Sequence, residues 1–258
     1  MRNILAVAGK EIRSYFHSPV AYVVLAAYAL QCGFFFYSFT ASYVFNTLRM
    51  QAMGGAGAPS MGINNYIVRP LFEGVLSIIT LFLVALITMR LYPEEKRTGT
   101  IELLLTSPIT DIQIILGKFL GALLLYVVML AITFLYISVL FLVGEPAAMP
   151  LLAHALGFLL FGGALLALGM WISTFTENQI IAGAVSFAVF LMFYVFNWVS
   201  AYSPGTVGKV FSYLSLTTHY DSFAKGVIDL KDLVYYISLI VIGIFLTARS
   251  VEALKGRV

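Results

Sequence analysis

Residues Phe119 to Val143 read FLGALLLYVVMLAITFLYISVLFLV, without one charged side chain. A transmembrane helix needs roughly 20 apolar residues to cross a hydrocarbon core of about 30 Å, and this run exceeds that length. In lipid each backbone N–H and C=O must be satisfied within the segment, so an uninterrupted run of this kind reads as a helix. An outer-membrane barrel would show short stretches of alternating polarity instead. Outward from this run, four more have the length: Val20 to Thr40, Gly74 to Leu91, Leu151 to Thr174 and Ile180 to Ser200. A sixth, Leu233 to Ala248, is shorter, but Lys231 and Arg249 frame it. Tyr235 and Tyr236 stand near its start, where amphipathic rings suit a membrane interface. The sequence predicts an all-α integral membrane protein with a six-helix bundle.

Composition agrees. The 258 residues are 61% hydrophobic and 10% charged, with a mean hydropathy of +0.96. A soluble domain is about half apolar and a quarter charged, so this chain has too few polar side chains to cover a surface in water. The net charge of +3 is too small to point to nucleic acid. Its distribution says more. With six spans both ends share a side, which carries Arg2, Lys10, Arg13, Arg90, Lys96, Arg97, Lys118, Arg249, Lys255 and Arg257. The other side has Arg49, Arg69, Lys209, Lys225 and Lys231. Ten against five places the termini in the cytoplasm by the positive-inside rule.

The first 18 residues form a unit of their own, ahead of a permease-sized body at 19–258. Ile4, Leu5, Ala8, Ile12, Tyr15 and Phe16 recur on one stripe of a helix, with Lys10, Arg13, Ser14 and His17 opposite. This predicts a basic amphipathic helix in the interface plane, either with a role of its own or as an anchor for the first span. Pro19 ends it or turns it into that span. Scattered charges before Pro19 and the lack of a continuous apolar region argue against a cleaved signal peptide. The single cysteine, Cys32, reads as a small packing residue.

Two outer connections are long. Asn46 to Arg69, with Gly54, Gly55, Gly57, Pro59 and Gly62, reads as a flexible loop. The segment 202–231 reads as two short helices after the Pro204-Gly205 turn, with Phe211, Leu214, His219 and Phe223 as a candidate outer gate. A surface hairpin without a gating role is the alternative.

The densest charge cluster lies between the second and third spans, within 92–112. Pro93 ends the preceding helix, Glu94, Glu95, Lys96 and Arg97 follow, and Gly99 permits a sharp bend. Thr100 is placed to cap a short helix from Ile101 to Leu105, with Glu102 in its first turn. Ser107-Pro108 breaks that helix, and Thr110 with Gln113 has capping-box spacing for the next. An apolar ridge of Ile101, Leu104 and Leu105 outside the bilayer needs something to bury it, a groove on a partner or lipid headgroups.

The run Glu94-Glu95-Lys96-Arg97-x-Gly99-Thr100-Ile101-Glu102-x-Leu104-Leu105-x-Ser107-Pro108 resembles the signature loop of ABC-2 type transporter permeases. The resemblance extends over the chain through the six-span layout, the basic first helix, the outer hairpin and Lys225-Gly226-Val227-Ile228-Asp229-Leu230, and leans toward the gliding-motility-associated branch. It implies a type V exporter-like bundle whose Glu94 to Leu105 segment docks on a separate ATP-binding subunit that carries ATP and Mg²⁺. It further implies a second permease half, an accessory membrane protein with a large extracytoplasmic domain in the gliding branch, and a bacterial inner membrane. An ATP-independent carrier or channel is the rival reading.

Chemistry within the chain itself is sparse. Gly117-Lys118 is not a phosphate loop, because Ile112 stands where the first glycine belongs and Phe119 where Ser or Thr should follow. His17, His154 and His219 are too scattered for a metal site, and no nucleophile elbow appears. No catalytic residue, cofactor or metal ligand is expected. Glu73 beside Arg69 reads as an interfacial pair before a proton relay. Tyr194, Phe196 and Trp198 read as an aromatic belt before a path lining. Gly117-x-x-x-Gly121, and Gly163 with Ala167, allow close helix approach.

Overall fold

Helix α1 spans Arg2–His17 and α2 spans Pro19–Ala52, so the proline stands where one axis gives way to the other. The computed structural model describes residues 2–17, 19–53, 62–100, 109–203 and 205–255. At about 1.5 Å per residue, α2 is longer than the hydrocarbon is thick. The expected loop from Asn46 therefore begins later. Asn46-Thr-Leu-Arg-Met-Gln-Ala52 contains mostly good helix formers and continues α2. The Asn46 amide also donates to the Tyr66 hydroxyl at 2.6 Å.

The second span starts early too, at Asn64, and its first turns are π-helical at Asn64–Val68 and Leu71–Leu76. Pro70 supplies the reason: it has no N–H to continue the regular ladder, and the helix widens around it. The Arg69 N–H then bonds the Asn64 carbonyl and that of Ser77 the Phe72 carbonyl. Regular α-helix resumes as α3, Ser77–Thr88, followed after a turn by one-turn α4, Pro93–Arg97. The third span is α5, Asp111–Ser138, extended by α6, Leu140–Val143. Helix α7 covers Ala148–Ser173 and α8 Gln179–Tyr202. The outer hairpin is α9, Thr206–Leu214, and α10, Leu216–Ala224, before α11, Leu230–Lys255. Among the described residues, six helical stretches are long and apolar enough to cross a membrane. The all-α, six-span class holds.

Helix α7 is the centre of the bundle. Most of its apolar window is buried within the chain, against a small minority for α2 and α11. Its glycines explain how so many neighbours reach it. A Cβ on Gly162 would lie 2.1 Å from the Tyr126 ring, and one on Gly169 2.5 Å from Thr88 Oγ1. Gly243 of α11 likewise sits against Ala167. Helix α2 rests on α5 through Tyr28, whose hydroxyl pairs with Thr133 Oγ1 at 2.6 Å, beside fully buried Cys32. Large apolar side chains such as Leu30, Phe34 and Tyr37 on α2 and Val241 and Phe245 on α11 point outward, which suits lipid as the surrounding solvent.

Candidate functional site

At the end of the bundle that bears both termini, α1 lies on α5. The approach is close because Gly117 and Gly121 leave room: a Cβ there would fall 2.6 Å from Val7 Cβ and 2.7 Å from Glu11 Cβ. The small-residue pair thus seats the amphipathic helix within the chain. Asn3 donates to Gln113 Oε1 across the same seam at 3.2 Å. Gln113 is drawn to α1, and the expected capping box does not form. Thr110 is the N-cap of α5 by backbone geometry, with no side-chain hydrogen bond.

Beneath this seam lies a buried ion cluster. Lys118 is 1% exposed, and its Nζ lies 2.9 Å from Glu11 Oε1, 2.9 Å from Glu95 Oε1 and 2.7 Å from the Leu91 carbonyl. Those contacts use the three donors an ammonium has. The Tyr92 ring covers it at 5.2 Å. Lys10 donates to the same Glu95 oxygen at 3.0 Å, so two carboxylates balance two ammonium groups. Partial burial works against the charge of Lys10, but its hydrogen bond to Glu95 and nearby Glu11 and Glu94 outweigh this and hold its pKa above the ordinary lysine value. Among the described residues, Glu95 Oε2 and the Tyr92 hydroxyl have no hydrogen-bond partner.

This cluster sorts the residues expected to meet a partner. Pro93 opens α4 at its first helical position as well as ending the span before it. The single turn sends Glu95 inward, leaves Glu94 half-buried and exposes Arg97. Lys96 donates to the Thr174 carbonyl at 2.7 Å, tying α4 to the end of α7. The Thr98 hydroxyl donates back to the Glu94 carbonyl at 2.9 Å. Gly99 takes φ +68°, a conformation natural to glycine, and turns the chain outward to exposed Thr100. Ile101, Glu102, Leu104 and Leu105 lie outside the described residues. Lys118 was not legible as the hub. Its signal was a lone lysine inside the apolar run that opens α5, four residues past Ile114 and between the two seam glycines.

At the opposite end the hairpin is pinned rather than loose. His219 Nδ1 lies 2.7 Å from Asp232 Oδ1 and its Nε2 3.0 Å from the Tyr213 carbonyl, with the ring stacked 3.8 Å from that of Tyr235. Phe223 fills the space opposite Gly157. Phe211 packs on Phe196 at 5.0 Å, while Leu214 is partly exposed and its carbonyl accepts from the Tyr235 hydroxyl at 2.8 Å. The four gate candidates therefore form no single surface: His219 and Phe223 face the bundle, Phe211 and Leu214 its margin. Arg69 pairs with Glu73 at 2.9 Å, as the sequence suggests, and also with Asp221 of α10 at 2.8 Å. Lys225 pairs with that aspartate as well. A cavity of about 300 Å³ opens beside this group, lined among others by Glu73, Ser77, Tyr194, Trp198 and Thr217.

The bundle thus has six candidate spans among the described residues and a charged stub rooted between the second and third. The family model described as ABC-2 family transporter protein matches residues 5–250. The chain belongs to that family. A search of the curated proteins returned no match. Membership makes this chain a multi-pass membrane component of the ABC-2 kind, and implies association with an ABC ATPase subunit.

Proposed function

We propose that the chain is the permease subunit of an ATP-binding cassette transporter, driven by a separate ATPase that holds the ATP and Mg²⁺. The observation that carries this reading is the mounting of Pro93–Thr100. Its inner side is fixed by Glu95 on Lys118 and by Lys96 on Thr174, and its outer side presents Arg97, Thr98, Gly99 and Thr100. Such a stub moves α1, α5 and α7 together when it is pushed, because the same contacts join all three. Ten cations on this side against five on the other support a cytoplasmic location for it and for both termini, in a bacterial inner membrane. Two such halves form the working unit, with the outer hairpin as the gate. The complex exports a substrate or passes the conformational change to an accessory protein outside, the latter in keeping with the gliding-motility branch.

Pull-down from mild detergent with native neighbours, with ATPase activity assayed on the eluate, tests this. An ATPase should co-elute, and be lost when Ile101 and Leu104 become Asp. A membrane protein with a large outer domain in the same eluate supports the gliding assignment. A chain that elutes alone, under conditions preserving other membrane complexes, turns the reading to a carrier or channel.

A further inference from the structure

A narrow slot opens where α1 meets α2. It is lined by Tyr15 of α1, by Val24 and Leu25 of α2, by Leu86 and Ile87 of α3 and by Met129 of α5, among others. Its volume is about 60 Å³, several times the space that one buried water needs. Water is nevertheless a poor occupant, since a buried water requires two to four polar partners. The Tyr15 hydroxyl is already spent on the Ile87 carbonyl at 3.2 Å, and the rest of the wall is aliphatic or thioether. An apolar chain is the occupant that such walls accept.

The lining of the slot carries one charge, Arg90. It is half-buried and makes no ion pair among the described residues. A planar guanidinium offers paired donors to a phosphate. At the end of α1 nearest the slot, Arg13 and His17 are exposed. An apolar slot with a single arginine in its lining, in a helix elbow at a membrane surface, matches a single amphiphile: one acyl chain with an anionic head.

We propose that this slot is a binding site for an anionic phospholipid, one acyl chain lying between Val24, Leu86 and Met129 and the phosphate on Arg90. The site adjoins the stub that begins three residues later at Pro93 and shares α1 with the ion cluster, so its occupancy sets the posture of α1 against α5. The inference rests on the slot and on Arg90, and stands whichever partner the stub meets.

The test is lipid retention. The full chain, purified in mild detergent, is exchanged with vesicles of equimolar phosphatidylglycerol and phosphatidylcholine, re-extracted, and its bound phospholipid measured by mass spectrometry. The unaltered chain should retain phosphatidylglycerol several-fold over phosphatidylcholine. Arg90→Gln should bring the ratio to parity, and Val24→Phe, which fills the slot, should lower retention of both lipids. Arg13→Gln removes an equal charge from the exposed face and should leave the preference intact. Parity in the unaltered chain overturns the site. So does an Arg13→Gln effect equal to that of Arg90→Gln, which would mean surface charge alone, or full retention in Val24→Phe, which would mean that no chain enters. Melting temperature of each variant separates loss of lipid from loss of fold.

Discussion

Lys118 is tolerable in its place because each of its donors has an acceptor. Removing one partner of such a buried pair commonly costs about 3–5 kcal/mol, since the other charge is left stranded. Lys118→Met should destabilise the chain on this scale, read as thermal unfolding in detergent. Glu11 is the group stranded, because Glu95 keeps Lys10. The double change Lys118→Met with Glu11→Gln should recover much of the loss, and strictly additive losses would show that the two do not act as a pair. The same geometry divides two residues that look alike in the sequence. Glu95→Gln should lower stability and yield, whereas Arg97→Glu, on an exposed position, should stay within about 0.5 kcal/mol and instead weaken retention of the ATPase. A stable Glu95→Gln protein with an intact melting curve would contradict the inward placement. Sequence patterning shows both as members of one charge run. Only the single turn of α4, with Lys118 waiting below, tells them apart.

At the scale of elements, what was legible is what lipid dictates. Each span announces itself as an apolar run, because no other arrangement satisfies a backbone in hydrocarbon. The limits of the runs were less visible. Helix α2 passes Thr40 and the second span begins ten residues ahead of Gly74, since a helix can continue beyond the bilayer and hydropathy marks only the part in lipid. The hairpin's two helices followed from its alternation and turn, while the docking of α1 was hidden in a glycine pair that reads as ordinary packing. The seam predicts its own failure. Gly117→Leu or Gly121→Leu forces a side chain into Val7 or Glu11 and should lift α1 from α5. Hydrogen exchange should then speed up along Arg2–His17 and leave α7 protected. Unchanged protection of α1 would mean that the glycines do not set the seam.

For the whole molecule the open question is which face meets the ATPase, and the chain carries a convenient means of asking. Its single cysteine, Cys32, is fully buried, so the natural protein should be silent to a membrane-impermeant thiol reagent. A cysteine added at an exposed position then reports its side of the membrane without background. Thr98→Cys lies on the stub and Thr206→Cys at the head of the hairpin, both exposed and at opposite ends of the bundle. The cation excess lies with the stub, and positive charge near span ends is retained on the cytoplasmic side. On intact cells the reagent should therefore label Thr206→Cys and spare Thr98→Cys, and permeabilised cells should yield both. The inverse pattern would put the stub outside, away from any source of ATP, and the coupling reading would fall with it. Labelling of both in intact cells would break the six-span count, because the three crossings between them, an odd number, keep these two faces apart.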